Sequence, residues 1–219
     1  MLHRIPTKAI PPREDQIKNE PMLFSADPRF AYANGGFLTR TVLDKLTQRG
    51  KFAPDDHVVI DTRVHMLKPG WIPAIGGWHC DAVPRGADGQ PELDHPAIPG
   101  IRHYLCVVDS GTGSMTEFLT ANIADYLPRK ARPEKNLWGE HSELINDWLG
   151  EDNDGDDTTT LQSGEIYEFS ARDYHRAIPA TGHGWRFFFR ASVETLTKGP
   201  LNEIRQQVQV YLPNEDWGW

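Results

Sequence analysis

Between residues 38 and 46 the apolar positions fall at Leu38, Val42, Leu43 and Leu46. Steps of three and four residues lie on one helical face, so the pattern predicts a short amphipathic helix that ends by Gly50. The period then changes. From His57 to Leu67 the chain is β-rich (Val58-Val59-Ile60-Asp61-Thr62-Arg63-Val64), and it runs into a Pro/Gly stretch that ends Gly76-Gly77-Trp78-His79-Cys80-Asp81. Asp88 to Gly100 reads as a loop. Strands are predicted over Arg102–Val108, Met115–Leu119 after a turn at Gly111–Gly113, Gly164–Phe169 and Trp185–Ser192. In the Gly164–Phe169 strand, Ile166 and Glu168 share one face and Tyr167 and Phe169 the other. Helices are predicted over Asn122–Leu127 and Glu140–Leu149. Many short strands separated by turn signals, with helices mostly in the first two-thirds, point to a mainly β fold with flanking helices, a β-sandwich or jelly roll.

No internal repeat or linker divides the chain. Its 219 residues suit one domain (1–219), with residues 1–20 as a Pro-rich, extended N-terminal arm and the core at about 57–192. A chain of this length buries a core without staples, and seven Trp and nine Phe supply bulk for it. Two cysteines, Cys80 and Cys106, are too few for a disulfide framework and fit reduced thiols in a cytoplasmic setting. No apolar run is long enough to span a membrane, and the N-terminus lacks the apolar stretch of a signal peptide.

The net charge of −8 disfavours nonspecific phosphate binding. The basic run Arg129-Lys130-Ala131-Arg132 with Lys135 fits a solvated loop better than an anion site, which leaves nucleic acid disfavoured but open as a partner. The acidic segment Glu151–Asp157 fits a surface loop. An EF-hand register through Gly155 would put Gly150 and Leu161 at ligand positions, so calcium is not expected there.

His79 and Asp81 are two residues apart, so in an extended segment both side chains share a face. A third donor must come from elsewhere. His175, 96 residues downstream at the end of the Gly164–Phe169 strand, is the best candidate. His183 is its rival but sits in a Thr-Gly-His-Gly turn, a looser mount. Two imidazoles and one carboxylate make a facial triad with open coordination positions, the donor set of an oxygen-activating Fe(II). An isolated His-x-Asp is common by chance, and nine histidines give many pairings. His65 lies on a strand pattern and reads as packed or surface. Cys80 should face away from the two ligands.

Three features in order resemble the Fe(II)/2-oxoglutarate-dependent dioxygenase superfamily. His79-Cys80-Asp81 matches its His-x-Asp. Gly113-Ser114-Met115-Thr116-Glu117-Phe118 looks like the Gly-Gly-x-Thr-x-Phe strand of prolyl-hydroxylase-like members, with Ser114 in place of the second Gly. Gly164-Glu165-Ile166-Tyr167-Glu168-Phe169, then His175 and then Arg186 eleven positions on, is similar to the phytanoyl-CoA-hydroxylase-like pattern. The resemblance spans roughly Val58 to Ser192. It implies a double-stranded β-helix, with Fe(II) held by His79, Asp81 and His175 and the cosubstrate 2-oxoglutarate held at the same mouth.

In that mapping Arg186 binds the distal carboxylate of 2-oxoglutarate, because a guanidinium offers a permanently charged planar fork. Arg190, on the same face, begins an Arg-x-Ser that other branches use for this purpose, and it is the second choice. Tyr104 and Thr116 are candidates to line the mouth, and Trp78 to wall the substrate pocket. The resemblance implies hydroxylation or oxidative demethylation of an organic substrate, small molecule or peptide. Asp81 speaks against a halogenase, which would have a small residue there. Two alternatives stay open: a cupin-like metalloenzyme that does not use 2-oxoglutarate, and a non-catalytic jelly-roll binding module.

Overall fold

The computed structural model describes residues 1–53, 56–74, 76–132, 135–150, 157–195, 199–206 and 210–211. In chain order it contains β1 (His3–Ile5), α1 (Glu14–Lys18), β2 (Leu23–Phe24), α2 (Pro28–Asn34), α3 (Phe37–Gln48), β3 (Val58–Leu67), β4 (Arg102–Asp109), β5 (Thr116–Leu119), α4 (Leu137–Gly150), β6 (Thr158–Thr160), β7 (Ile166–Ser170), β8 (His175–Ala177), β9 (Gly184–Val193) and β10 (Glu203–Ile204). The chain is mainly β, and every strand pairing is antiparallel. None of the described helices is long and apolar enough to cross a membrane.

A five-stranded sheet runs β1-β7-β4-β9-β3, and a three-stranded sheet runs β6-β5-β8. Strand alternation gives the large sheet two different faces. One carries Val58, Ile60, Tyr104, Cys106, Val108, Ile166, Phe187, Phe189 and Val193. It packs against Ile17 of α1, Ala31 of α2 and Leu38, Val42, Leu43 and Leu46 of α3. The other carries Leu105, Val107, Tyr167 and Phe169, which pack on Phe118 of β5 and on Leu161. Helices, large sheet and small sheet thus stack as three layers, each apolar face buried against the next.

The amphipathic helix at residues 38–46 is present as α3, and the strand expectations hold within a residue or two. Three expectations need correction. Asn122–Leu127 is not an α-helix; only a 3₁₀ turn at Ala124–Tyr126 forms, and Ile123 and Leu127 are buried there because the turn plugs a small apolar cluster with Trp78 and Ile145. The N-terminal arm is not extended throughout, since it contributes edge strand β1 and helix α1. Tyr104 does not line the mouth. It sits on the helix-covered face, fully buried, with Phe52 edge-on to its ring. The acidic stretch 151–156, where calcium was weighed, lies outside the described residues.

Helix α2 escaped the apolar pattern because it buries only Ala31. Its start is written chemically instead: the Asp27 side chain accepts a hydrogen bond from the Phe30 amide, and Pro28 fills the first helical position. The N-terminus of α3 is capped across the chain. Glu20, 5% exposed, accepts hydrogen bonds from the amides of Gly36, Leu38 and Thr39 and from the Thr39 hydroxyl.

Candidate metal centre

His79 lies in the irregular segment after the Pro/Gly stretch, and β8 opens with His175. The two residues pair as an isolated antiparallel bridge: the His79 amide donates to the His175 carbonyl at 3.1 Å, and the His175 amide returns the bond at 3.0 Å. The backbone thereby sets two imidazoles side by side, with ring centroids 4.7 Å apart. Asp81 completes the group. Its carboxylate lies 3.3 Å from His175 Nε2 and 4.0 Å from His79 Nε2. One donor atom from each of the three residues lies within 4.8 Å of the other two, and among the described residues this is the only cluster able to hold a metal ion. His183 is not part of it, and buried Cys80 does not join it.

Tautomer and charge suit a cation. Nδ1 of His79 is 3.0 Å from the Gly77 carbonyl, and Nδ1 of His175 is 3.0 Å from the Asp173 carbonyl. A carbonyl can only accept, so each Nδ1 carries the proton and each Nε2 presents its lone pair to the cluster. Burial, then the neighbouring His175, pushes His79 below the usual imidazole range and favours the neutral, ligating form. Burial alone would raise the Asp81 carboxyl. The Arg190 guanidinium outweighs it and holds Asp81 well below the usual carboxylate range.

Gly77 makes this geometry possible. Its φ of 99° lies where side chains are strained, and a Cβ there would come within 2.7 Å of Ser142 Oγ on α4. The same hydroxyl accepts the Trp78 amide hydrogen bond. Ala82, directly after Asp81, also has positive φ (56°), a local strain of the kind that collects at functional sites.

Arginines 186 and 190 share the inner face of β9, yet their surroundings differ. Arg190 is committed to carboxylates: Nη1 lies 2.6 Å from Asp81 and Nη2 3.2 Å from Asp61 on β3. Arg186 is 3% exposed, and its Nε donates to the Ser114 carbonyl at 2.7 Å. No carboxylate of the described residues forms an ion pair with it. Burial lowers its pKa to about 10, only partly offset by Asp109, the residue across from it on β4. A buried guanidinium without a counter-charge is costly, and it marks a place where an anion would be stabilised.

These residues border one cavity of about 900 Å³, the size of a small-molecule site. His79, Asp81 and His175 lie on its wall with Arg186, Thr116, Phe188 and Leu105. Trp78, Leu137, Trp138 and Pro73 add apolar surface, and Gln90, Asn136 and Arg85 add polar groups. Thr116 and Trp78 are therefore where the sequence pattern put them. Sequence reasoning missed Asp61 and the Arg190–Asp81 pairing. A buried ligand carboxylate needs a cation nearby, and that requirement was the available signal.

No protein-family model and no curated protein matches this chain. Several solved structures are similar at low identity. An N-substituted L-amino acid dioxygenase from Burkholderia ambifaria AMMD matches at 16% identity over 60% of this chain and 47% of its own, TM-score 0.32. The non-haem monooxygenase ThoJ matches at 12% identity over 85% and 78%, TM-score 0.40. A 2OG-Fe(II) oxygenase family oxidoreductase from Burkholderia pseudomallei matches at 12% identity over 76% and 62%, TM-score 0.34. The chain thus spans about half the length of the first of these. All three are named as oxygenases or oxidoreductases, but likeness at this level carries no functional argument, which has to rest on the site's geometry.

Proposed function

We propose that this chain is a non-haem Fe(II)- and 2-oxoglutarate-dependent oxygenase with a double-stranded β-helix core, which hydroxylates or oxidatively demethylates an organic substrate. One observation carries this reading. Two imidazoles and a carboxylate converge on the wall of a cavity that also holds Arg186, a buried cation with no ion-pair partner among the described residues. A triad alone fits many metalloproteins; a triad beside an unneutralised guanidinium suits a chelating cosubstrate with a second carboxylate. The strand orders β1-β7-β4-β9-β3 and β6-β5-β8, with the His79–His175 rung extending the smaller sheet, support a double-stranded β-helix.

In this reading the Nε2 atoms of His79 and His175 and one Asp81 oxygen would hold the metal. Bound Fe(II) and 2-oxoglutarate supply the oxidising chemistry, in which 2-oxoglutarate, dioxygen and R–H become succinate, carbon dioxide and R–OH. Arg186 binds the distal carboxylate and fixes the orientation of the 2-oxo acid. Arg190 keeps Asp81 ionised and leaves Arg186 as the free cation, so Arg186 rather than Arg190 takes the cosubstrate. Trp78, Phe188 and Leu137 exclude water from the pocket.

Anaerobic titration tests this directly. The purified chain should bind one Fe(II) or Mn(II), and only the metal-loaded protein should then bind 2-oxoglutarate. Aerobic incubation should form succinate. Metal binding with no 2-oxoglutarate binding would sink the proposal and favour a metalloenzyme of another kind. Absence of metal binding would leave a binding module.

A further inference from the structure

His65 is the least explained side chain in the site. It is 3% exposed, and both ring nitrogens are buried without a hydrogen-bond partner among the described residues. A packed core histidine ordinarily satisfies at least one nitrogen, because an unmet buried polar group costs stability. His65 also borders the cavity, on the strand position directly across from Arg186. Directly opposite residues of an antiparallel pair present their side chains to the same face.

The inner wall is divided electrostatically. Toward the metal ligands, Asp61 and Asp81 neutralise Arg190. At the other end stand Arg186 and His65, next to Arg63, whose guanidinium donates to the Leu23 and Thr62 carbonyls and is held partly by the charge of Asp61. No carboxylate of the described residues ion-pairs with Arg63 or Arg186, and the nearest acid acting on Arg186 is Asp109. Positive charge therefore gathers at one pocket end without an ion-pair partner among the described residues, beside a His65 ring whose nitrogens have no acceptor there.

We infer that His65 is the second arm of the carboxylate-binding end, so that a ring N–H of His65 and the guanidinium of Arg186 jointly grip the distal carboxylate of a 2-oxo diacid. This rests on the proposed function and adds to it a residue that selects diacids over simple 2-oxo acids. A neutral imidazole has one N–H to donate, and a carboxylate has enough lone pairs for it after a bidentate guanidinium contact. The residue acts by binding and takes no part in the oxidation.

The test is anaerobic calorimetry on the Mn(II)-loaded full chain with two ligands, 2-oxoglutarate and 2-oxobutyrate, which share the chelating head while the second lacks the distal carboxylate. His65→Phe should weaken 2-oxoglutarate binding by roughly tenfold or more, the effect of one charge-assisted hydrogen bond. Binding of Mn(II) and of 2-oxobutyrate should stay within about twofold of native, the scatter of a site left intact. His65→Gln, which restores a donor of similar reach, should recover most of the loss. Arg186→Ala is the control for the parent reading. Native-like 2-oxoglutarate affinity in His65→Phe, with Arg186→Ala impaired, overturns the role of His65 and leaves the proposed function standing. Equal losses for both ligands in His65→Phe also overturn it, because they signify general damage. Failure of the native protein to bind 2-oxoglutarate overturns both.

Discussion

His79 and His175 exchange both of their backbone hydrogen bonds, at 3.1 and 3.0 Å, although 96 residues separate them. The rung fixes Cα positions and the Gly77 and Asp173 carbonyls fix ring tautomers, so little freedom is left in the metal-facing nitrogens. Gly77→Ala should therefore weaken metal binding without removing a ligand. The added Cβ meets Ser142 Oγ and the backbone cannot keep its φ of 99°. A loss of about tenfold to a hundredfold in Mn(II) affinity is expected, typical for disturbed outer partners of ligands. His175→Ala, measured alongside, should abolish binding. Native affinity in Gly77→Ala would refute the orienting role of the glycine carbonyl.

Arg190 balances two carboxylates. Removing it in Arg190→Ala leaves Asp61 and Asp81 facing each other uncompensated, and breaking a buried pair in this way costs about 3–5 kcal/mol. The Arg190 side chain is 26% exposed, so the lower end of that range is expected, read as a shift in the urea midpoint of the metal-free protein. Metal should recover part of the loss by supplying positive charge to Asp81. A variant as stable as the native chain would contradict the pairing.

Acid should destabilise the metal-free protein partly through His65. Burial, then Arg186 and Arg63, lowers its pKa from 6.5 to about 3. The folded state therefore prefers the neutral ring, and the unfolded state takes up the proton first. This contribution is fully present above pH 6.5 and is lost as pH falls from there toward 3. By pH 5 the loss amounts to about 2 kcal/mol. His65→Gln, which does not titrate, should flatten the stability profile between pH 7 and 5 by roughly that amount in denaturant melts. An unchanged slope would show that the ring is hydrated in solution.

Glu20 caps α3 from 16 residues away. Glu20→Ala strips acceptors from the Gly36, Leu38 and Thr39 amides and the Thr39 hydroxyl, all near a helix N-terminus where a negative charge is favoured. A loss of about 2 kcal/mol is expected from caps of this kind. Metal affinity should stay native, because α3 lies on the sheet face opposite the cavity. A shift in metal affinity would show that the two faces communicate.

Much of this arrangement was legible in the sequence because it depends on short periods. Leu38, Val42, Leu43 and Leu46 repeat at helical spacing, the strands alternate, and His79 and Asp81 sit at the two-residue step that puts both on one side. His175 could be favoured over His183 only by its mount at a strand end, and Arg186 only by resemblance, since no local pattern tells which distant side chain meets a given pair. The role of Arg190 was illegible for the same reason: its partners, Asp61 and Asp81, lie 129 and 109 residues away. Tyr104 was misplaced because β4 is buried on both faces, with an unbroken apolar run from Tyr104 to Val108, so alternation gave no clue to which side faced the cavity. The apolar spacing of Ile123 and Leu127 marked burial correctly but not helix.

Helix α4 adds a second tie between two segments that the His79–His175 rung already joins. Its Ser142 and Asn146 hold Trp78, one residue before the first ligand, and Asn146 also receives Arg176, one residue after the third. Arg176 in turn lies over the Trp78 ring at 4.4 Å. The first turn of the same helix, Leu137 to Gly139, borders the cavity. One helix thus braces both sides of the ion cradle at its middle and supplies cavity wall with its first turn, so that wall cannot swing widely unless the cradle is wrenched with it.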